Sequence, residues 1–309
     1  MNLIFNSKHK KLFSSFNTII CRTLADKSNV EHHRAKVMAK GLPVKKPITN
    51  VKHIVLVSSG KGGVGKSTTA VNIAAALRVL HPEKNVGLLD ADIFGPTIPL
   101  MMNLNDVPLL NDNNLMEPLV NYGIKCMSMG FLIEEGAALI WRGLMVMQAL
   151  DKLMRQVEWG PTDYLIVDTP PGTGDTHLSL VQNLPISGVV LITTPQNASL
   201  QVTKRGGVMY KKLNVPLIGI IENMSHVVCP SCSSNIEMFG NGIKDLSRDL
   251  NCKIMERFPI QKEISVNCDK GIPIVINEPD SSISQQYRNV AKDIIDFLEA
   301  DTNKVVNKA

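Results

Sequence analysis

Cysteines, acidic residues near the start and long hydrophobic runs are all scarce in this sequence. Six cysteines in 309 residues are too few for a disulfide-stabilised scaffold. No apolar run approaches the roughly 18 residues that a membrane-spanning helix requires, so the sequence predicts a soluble protein without a membrane span. Neither an internal repeat nor a low-complexity block is present. With 44% hydrophobic and 20% charged residues, the composition is that of an ordinary globular protein.

The first 52 residues carry an excess of positive charge that the rest of the chain lacks. No acidic residue precedes Asp26. Residues 1–52 contain 11 Lys/Arg against 2 Asp/Glu, whereas the remainder contains 22 against 26. The basic excess therefore belongs to the leader. The mildly acidic remainder argues against a nucleic-acid partner.

The leader has the profile of a mitochondrial targeting segment. Leu12, Phe16 and Ile19 would lie on one face of a helix, opposite several lysines. We therefore predict a targeting segment at residues 1–27, a basic linker at residues 28–52 and a location in the mitochondrial matrix. A disordered basic tail is the alternative. A secretory signal fits worse, because lysines interrupt its apolar core.

The stretch IVLVSSGKGGVGKSTT, residues 54–69, predicts a phosphate-binding loop between a strand and a helix. It fits the pattern G-x-x-x-x-G-K-[ST], which in this setting binds a nucleoside triphosphate. Glycines let successive backbone N–H groups face phosphate oxygens, and the helix N-terminus adds partial positive charge. Lys66 would reach the terminal phosphates, and the Ser67 hydroxyl would bind Mg²⁺. The predicted nucleotide-binding residues of the loop are Gly60, Lys61, Gly62, Gly63, Val64, Gly65, Lys66, Ser67 and Thr68.

Apolar strands alternate with helical stretches through most of the chain. We expect strands at 54–57, 86–89, 164–167, 189–193, 217–221 and 254–258, and helices at 69–80, 142–157, 176–183, 197–213, 241–250 and 284–299. This alternation predicts an α/β fold of the P-loop NTPase class, with a mostly parallel sheet flanked by helices on both faces. The predicted domain covers residues 53–300, and a flexible tail follows at residues 301–309.

Residues 98–160 form an insert in which this alternation is hard to follow. Leu150 and Met154 recur there at helical spacing, which is typical of core side chains. Cys126 is expected to be a buried thiol. The tripeptide Trp141-Arg142-Gly143 receives no predicted role.

Two strand ends carry carboxylates that would meet the phosphate site, because the carboxyl ends of parallel strands lie at one edge of a sheet. Asp168 ends an apolar strand and is expected to hold Mg²⁺ opposite Ser67. Asp92 follows the second strand and is expected near the nucleotide, with an ordinary loop carboxylate as the alternative. Asp90 either acts there as well or caps the loop.

The loop GKGGVGKS and the segment DTPPGTGD, residues 168–175, resemble the deviant Walker A ATPases, in particular their Mrp/ApbC iron–sulfur carriers. The phrases GLPVKKPI, GLLDADIFGPTIP, NYGIKCMSMGFL and WRGLMVM extend this resemblance from about residue 39 to residue 298. It implies a MinD/Mrp-like fold. It also implies a homodimer in which Lys61 reaches the nucleotide of the partner chain. A solvated loop lysine is the alternative for Lys61.

The resemblance also implies roles for residues outside the loop. Asp92 would orient the attacking water, Asn223 would hydrogen-bond the adenine edge of ATP, and Pro259 would lie in the second loop that flanks the base. Asn223 as an ordinary turn residue at a strand end is the alternative. Lys61, Lys66 and Asp92 are thus the expected catalytic residues of a slow ATP hydrolysis.

Cys229 and Cys232 form a C-x₂-C pair, whose tight turn would aim two thiolates at one metal centre. Two thiolates are half of a tetrahedral or cubane site, and the sequence contains no second C-x₂-C. A homodimer would supply four cysteines around one shared site. The resemblance implies a 4Fe–4S cluster that is held there and handed on. A zinc site shared by two chains and a redox dithiol are the alternatives.

The resemblance implies an ATP-dependent carrier that delivers a 4Fe–4S cluster to apo-proteins, with transfer rather than hydrolysis as its main role. The resemblance is closest to the mitochondrial members of the group, which implies subunits of respiratory complex I as acceptors. A MinD/ParA-like positioning ATPase, a dimeric zinc-binding NTPase switch and an electron-donor reductase are the alternatives. The acidic outer face of the last predicted helix argues against attachment to a membrane surface.

Overall fold

The computed structural model describes residues 45–133 and 143–306 of the chain. These residues belong to one compact unit. The predicted targeting segment, most of the predicted linker, and Trp141 with Arg142 lie outside the described residues.

An eight-stranded sheet forms the centre of the described unit. Its strands are β1 Val51–Ser59, β2 Val86–Asp90, β3 Leu119–Asn121, β4 Ile124–Ser128, β5 Thr162–Asp168, β6 Gly188–Thr193, β7 Leu217–Glu222 and β10 Ile254–Arg257. A separate hairpin consists of β8 Val227–Val228 and β9 Asn235–Ile236. The order in the sheet is β10–β7–β6–β1–β5–β2–β4–β3, and every neighbouring pair is parallel except β3 with β4. The predicted mostly parallel sheet is therefore confirmed.

Helices cover both faces of this sheet. They are α1 Lys66–Leu80, α2 Ile98–Met101, α3 Gly143–Arg155, α4 Asp175–Asn183, α5 Asn197–Lys212, α6 Ile243–Asp249, α7 Lys262–Asp269, α8 Ile274–Asn277 and α9 Ser282–Val306. α1 connects β1 to β2, and α5 connects β6 to β7, so the two connections run in opposite directions along the sheet order. Because such connections are right-handed, α1 and α5 lie on opposite faces of the sheet. None of the helices in the described residues is both long and apolar enough to cross a membrane.

The core lies on the two faces of the central strands. Val55, Leu56 and Val57 of β1 are completely buried, because the strand has a neighbour on each edge and helices above and below. α1 is alanine-rich and buried along most of its length, since it packs between the sheet and α9. A helix that is apolar around its whole circumference needs this position.

The insert at residues 98–160 contributes two strands that the sequence analysis did not predict. β4 extends the sheet beside β2, and β3 closes that edge in antiparallel pairing. β4 is short and is interrupted by Lys125, so it gives little strand signal. Cys126 on β4 is fully buried, as expected, and burial raises the pKa of its thiol. Leu150 and Met154 of α3 lie in the core, as their spacing predicted.

The backbone that enters β1 is fastened by Arg155. Its Nη1 donates to the carbonyl oxygens of Lys46 (2.9 Å) and Pro47 (3.1 Å), and its Nη2 donates to that of Asn183 (3.1 Å). Residue 53, the expected start of the domain, lies in β1, two residues after its first residue Val51.

Candidate nucleotide and metal site

The predicted phosphate-binding loop joins β1 to α1 at the carboxyl edge of the sheet. Gly63 and Gly65 have φ angles of +77° and +86°, a left-handed conformation that glycine adopts without steric cost. A Cβ atom at Gly60 would lie 2.6 Å from backbone atoms of Val202 and Thr203 on α5. The glycines of the motif thus meet two needs, the backbone turn and the close passage of a neighbouring helix.

Lys66 is nearly buried among groups that the sequence analysis assigned to the site. Its Nζ donates to Oδ1 of Asp168 at 2.5 Å and lies 3.2 Å from Oγ of Ser67 and 3.9 Å from Oδ2 of Asp92. Only 7% of its side chain is exposed, so its charge depends on these partners. Burial raises the pKa of Asp92, which remains partly exposed. The fold therefore brings together the predicted residues Lys66, Ser67, Asp92 and Asp168.

Asp168 ends β5 and is completely buried. Its Oδ1 accepts from Lys66, whereas its Oδ2 has no hydrogen-bond partner among the described residues. Burial raises the pKa of Asp168, and the nearby Lys66 opposes this effect. A buried carboxylate oxygen without a partner is costly, and carboxylate oxygen is a ligand that Mg²⁺ prefers. Asp168 and the adjoining Ser67 hydroxyl therefore fit a magnesium ion.

Asp90 anchors the loop that carries Asp92. Its carboxylate accepts hydrogen bonds from the backbone N–H groups of Asp92 (3.1 Å) and Ile98 (3.4 Å), and from the Ser128 hydroxyl (3.0 Å). Burial, together with the charge of the neighbouring Asp168, raises the pKa of Asp90 to about 7. These contacts favour the capping role for Asp90. Sequence reasoning missed its Ser128 partner because β4 was not predicted.

Asn223 follows β7 and contacts the phosphate loop directly. Its backbone N–H donates to the carbonyl oxygen of Thr193, and its Nδ2 donates to that of Val64, both at 2.8 Å. A Cβ atom at Gly65 would lie 2.2 Å from this Nδ2. Pro259, the other predicted base-flanking residue, is buried directly after β10.

Lys61 is exposed at the outer side of the loop. No ion pair among the described residues includes it. It lines a pocket of about 140 Å³, whose other lining residues are Gly62, Gly63, Val64, Thr194, Gln196, Met224 and Phe239. This pocket brings the loop next to Phe239, which follows the cysteine pair in the chain.

Cys229 and Cys232 lie at the tip of the hairpin formed by β8 and β9. The Cys229 N–H donates to the carbonyl oxygen of Ser234, and the Ser233 N–H donates to that of Cys229, both at 2.9 Å. Both cysteines are free thiols. Sγ of Cys232 lies 3.0 Å from Oγ of Ser234, and hydrogen bonding from Ser234 lowers the pKa of this exposed thiol. An accessible thiol with a lowered pKa is suited to binding a metal.

The cysteine pair supplies only part of a metal site within one chain. In the part of the chain that the structure describes, no group of three or more His, Cys, Asp or Glu side chains could hold a metal ion. Cys252 and Cys268 are therefore not brought to the pair as further ligands.

An ion pair between the buried Glu222 and the partly exposed Arg257, next to Asn223, was not predicted. Nε of Arg257 donates to Oε2 of the fully buried Glu222 at 2.5 Å, and Nη2 of Arg257 donates to Oε1 of Glu237 at 3.2 Å. Arg257 and Glu222 meet because β10 and β7 pair in this register. No local sequence pattern indicates such a contact.

His177 forms a second buried polar group that sequence reasoning missed. Its Nε2 lies 3.2 Å from Oγ1 of Thr169 and 3.4 Å from Oγ of Ser58, and the Tyr210 hydroxyl donates to Ser58 at 2.9 Å. Burial lowers the pKa of His177 to about 4, so the ring is neutral near pH 7. The ring connects α4 to β1 directly behind Asp168.

Comparisons with known proteins identify the family of the chain. A family model described as "ParA: NUBPL iron-transfer P-loop NTPase" matches residues 50–295. The iron-sulfur cluster transfer protein NUBPL of Mus musculus is 48% identical over 277 residues, which are 89% of this chain and 87% of the mouse protein. An Arabidopsis thaliana protein named "Iron-sulfur protein required for NADH dehydrogenase, mitochondrial" is 46% identical over 250 residues, 81% of this chain and 80% of the plant protein.

A solved structure extends the comparison to the fold. The nucleotide-binding protein from Archaeoglobus fulgidus in complex with ADP has a TM-score of 0.64 and 32% identity. The match covers 76% of this chain and 91% of that one. Since both the sequence and the fold match over most of their length, the chain belongs to the NUBPL-type iron-transfer P-loop NTPases of the ParA family.

Proposed function

We propose that the protein is an ATP-dependent iron–sulfur cluster carrier that delivers a 4Fe–4S cluster to apo-proteins. The observation that carries this proposal is the combination of a phosphate-binding loop with an exposed C-x₂-C hairpin, joined at the pocket that Lys61 and Phe239 line. The name of the mouse relative supports iron–sulfur transfer as the task. The plant name supports subunits of NADH dehydrogenase, which is respiratory complex I, as acceptors and the mitochondrion as the location. Within the mitochondrion we propose the matrix.

In this proposal ATP binds along the phosphate loop, with Asn223 and Pro259 beside the base. Lys66 would exchange its contact with Asp168 for phosphate oxygens, which leaves the Asp168 carboxylate and the Ser67 hydroxyl to hold magnesium. The magnesium ion would supply neutralising charge for the phosphates.

Hydrolysis in this proposal depends on two further residues. Asp92 would orient the attacking water, and Lys61 would act on the nucleotide of a second chain. The exposure of Lys61 and its lack of an ion-pair partner among the described residues support this second role. We expect turnover to be slow, because binding energy is used to change conformation.

Two chains would complete the cluster site. Cys229 and Cys232 from each chain would provide four thiolates for the cluster, which is the cargo of the carrier. The hairpin is exposed, so an acceptor can approach the cargo without any opening of the core. The incomplete ligand set of one chain supports the proposed dimer.

Anaerobic reconstitution with iron and sulfide tests the cluster assignment. We expect wild-type protein to take up iron and sulfide in equal amounts, with one cluster per two chains and a dimeric mass. The Cys229→Ser/Cys232→Ser variant should lose both elements, whereas the control Cys268→Ser should retain them. Binding of zinc without sulfide, or uptake that survives loss of the pair, would refute the cluster site.

A transfer assay separates a carrier from an electron donor. The reconstituted protein is mixed with an apo-acceptor of the 4Fe–4S class, with and without Mg·ATP, and the cluster is followed on both partners. We expect the cluster to leave the carrier and to appear on the acceptor. A cluster that stays on this protein through many rounds of hydrolysis would contradict the proposal.

A further inference from the structure

The chain that follows the cysteine pair returns to the nucleotide site at two points. Oε1 of Glu237 accepts from Nη2 of Arg257 at 3.2 Å. Phe239 lines the small pocket together with Lys61 and Val64 of the phosphate loop. Residues 230–240 are all exposed, and these two side chains give contacts between the returning segment and the domain.

Arg257 is held firmly at the base-binding side of the site. Glu222 is completely buried, and a buried carboxylate needs a compensating charge. Arg257 supplies it through Nε, at 2.5 Å from Oε2, and this hydrogen bond raises the pKa of Arg257. Glu222 immediately precedes Asn223, whose amide contacts the phosphate loop at Val64.

The contact of Arg257 with Glu237 is of a different kind. The Glu237 side chain is 46% exposed, against 0% for Glu222. Glu237 can therefore exchange Arg257 for water at little cost, while Glu222 cannot. One guanidinium group thus joins a fixed residue next to Asn223 to an exposed residue of the segment that follows the cysteine hairpin.

The start of the hairpin is tied to the same region. The Ser225 N–H donates to the carbonyl oxygen of Phe258 at 2.9 Å, and the Ile260 N–H donates to that of His226 at 2.8 Å. These bonds enclose Pro259, the predicted base-flanking residue. Both ends of the cysteine hairpin are thereby attached to segments that border the nucleotide site.

We propose, on the basis of the function proposed above, that Arg257 is the positioning residue that couples nucleotide binding to metal binding at Cys229 and Cys232. The base would contact Asn223, which is covalently joined to Glu222, and the metal would contact the hairpin that continues into Glu237. Arg257 is the shared partner of both carboxylates. Coupling between two ligands is reciprocal, so each should change the affinity of the other by the same factor.

The test measures this factor in the full-length protein, with ADP and Co²⁺ as probes. The dissociation constant of ADP is measured by calorimetry in excess Mg²⁺, and that of Co²⁺ by thiolate–cobalt absorption, each with and without the other ligand. Background cobalt binding is taken from the Cys229→Ser/Cys232→Ser variant. For wild-type protein we expect the two ratios to agree, within the range of about 5- to 150-fold that is typical of coupled sites.

Three variants identify the residue that carries the coupling. Glu237→Gln leaves the pair of Arg257 with Glu222 intact, and Arg257→Lys keeps the positive charge but loses the second edge of the guanidinium group. Both variants should bring the coupling factor close to one, with little change in the affinity for ADP alone or for Co²⁺ alone. Arg248→Gln, which breaks an exposed ion pair with Asp245, is the matched control and should keep the wild-type factor.

The outcomes separate this inference from the proposed function. A wild-type factor in Glu237→Gln would overturn the inference, as would rescue by Arg257→Lys, because a purely structural counter-charge predicts such rescue. Wild-type protein that binds both probes without coupling would overturn the inference and leave the carrier function standing. Failure to bind cobalt at the cysteine pair would overturn both.

Discussion

The phosphate loop and the cysteine hairpin of this protein are built by opposite means. Lys66 is 7% exposed and Asp168 is completely buried, at the ends of long elements in the middle of the sheet. The hairpin consists of two strands of two residues each, and residues 230–240 are exposed. One site is organised before its ligand arrives, and the other stays open to solvent.

This difference matches the chemistry proposed for each site. Phosphates and magnesium carry concentrated charge, and buried counter-charges on a rigid sheet bind them with little reorganisation. A cargo that is handed to another protein needs a path of approach, which burial would close. The residues between the two sites, Glu222, Arg257 and Glu237, change from fully buried to half exposed along that direction.

The largest effect on stability and on nucleotide binding is expected from removal of the Lys66 ammonium group. In Lys66→Met the buried Asp168 loses its counter-charge, so we expect the free energy of unfolding to fall by about 3–5 kcal/mol and ADP binding to be lost. Lys61→Met removes an exposed ammonium from the same loop and should change stability by less than about 0.5 kcal/mol. Urea unfolding and calorimetry measure both effects. Equal losses of stability and of ADP binding in the two variants would show that the burial of Lys66 does not account for its larger effect.

The pH dependence of stability should reveal the buried histidine behind the loop. The pKa of His177 falls from 6.5 in a model peptide to about 4 in the fold. Between these values the unfolded chain binds a proton that the native protein rejects, so stability falls as the pH falls, by about 3 kcal/mol in total. His177→Gln should lack this contribution. Unfolding free energies of both proteins from pH 7 to pH 4 test it, and a constant difference between them would contradict it.

Alanine at two glycines of the loop should separate backbone strain from contact with Asn223. Gly63→Ala and Gly65→Ala each force a left-handed alanine, which costs about 1–2 kcal/mol. A Cβ atom at Gly63 meets nothing within 4 Å, whereas at Gly65 it would displace the Asn223 amide. We therefore expect only Gly65→Ala to weaken ATP binding beyond the strain effect. Calorimetry on both variants measures this, and equal affinities would argue against the role of Asn223.

The smallest effect is expected in the hairpin. Ser234→Ala removes the hydrogen bond that lowers the pKa of Cys232, so its thiolate fraction should fall and alkylation by iodoacetamide at pH 7 should slow about two- to threefold. Global stability should not change measurably. Ser231→Ala in the same turn is the control, and peptide mass spectrometry gives the rate at each cysteine. A rate at Cys232 that is unchanged by Ser234→Ala would exclude this hydrogen bond as the cause.

The parts of the site that are contiguous in sequence could be predicted. The phosphate loop needs particular residues at consecutive positions, and Asp168 ends a strand whose apolar residues are easily recognised. The cysteine pair is equally local. In each case the residues that the motif requires lie within about ten positions of one another, so the sequence pattern alone identifies them.

The partners that complete the site could not be predicted, because they depend on strand pairing. Ser128 reaches Asp90 only because β4 lies beside β2, and β4 is too short and too polar to stand out. Arg257 meets Glu222 through the register of β10 with β7. Such pairs form between distant segments, and no local preference of either residue indicates them.

Arg155 sets a limit on how far the chain can be shortened before its contacts are lost. The three carbonyl groups that it binds belong to residues 46, 47 and 183, so all of them lie after the first 44 residues. Removal of residues 1–44 would leave all three acceptors in place. A chain shortened in this way would keep the Arg155 clamp on the entry to the sheet.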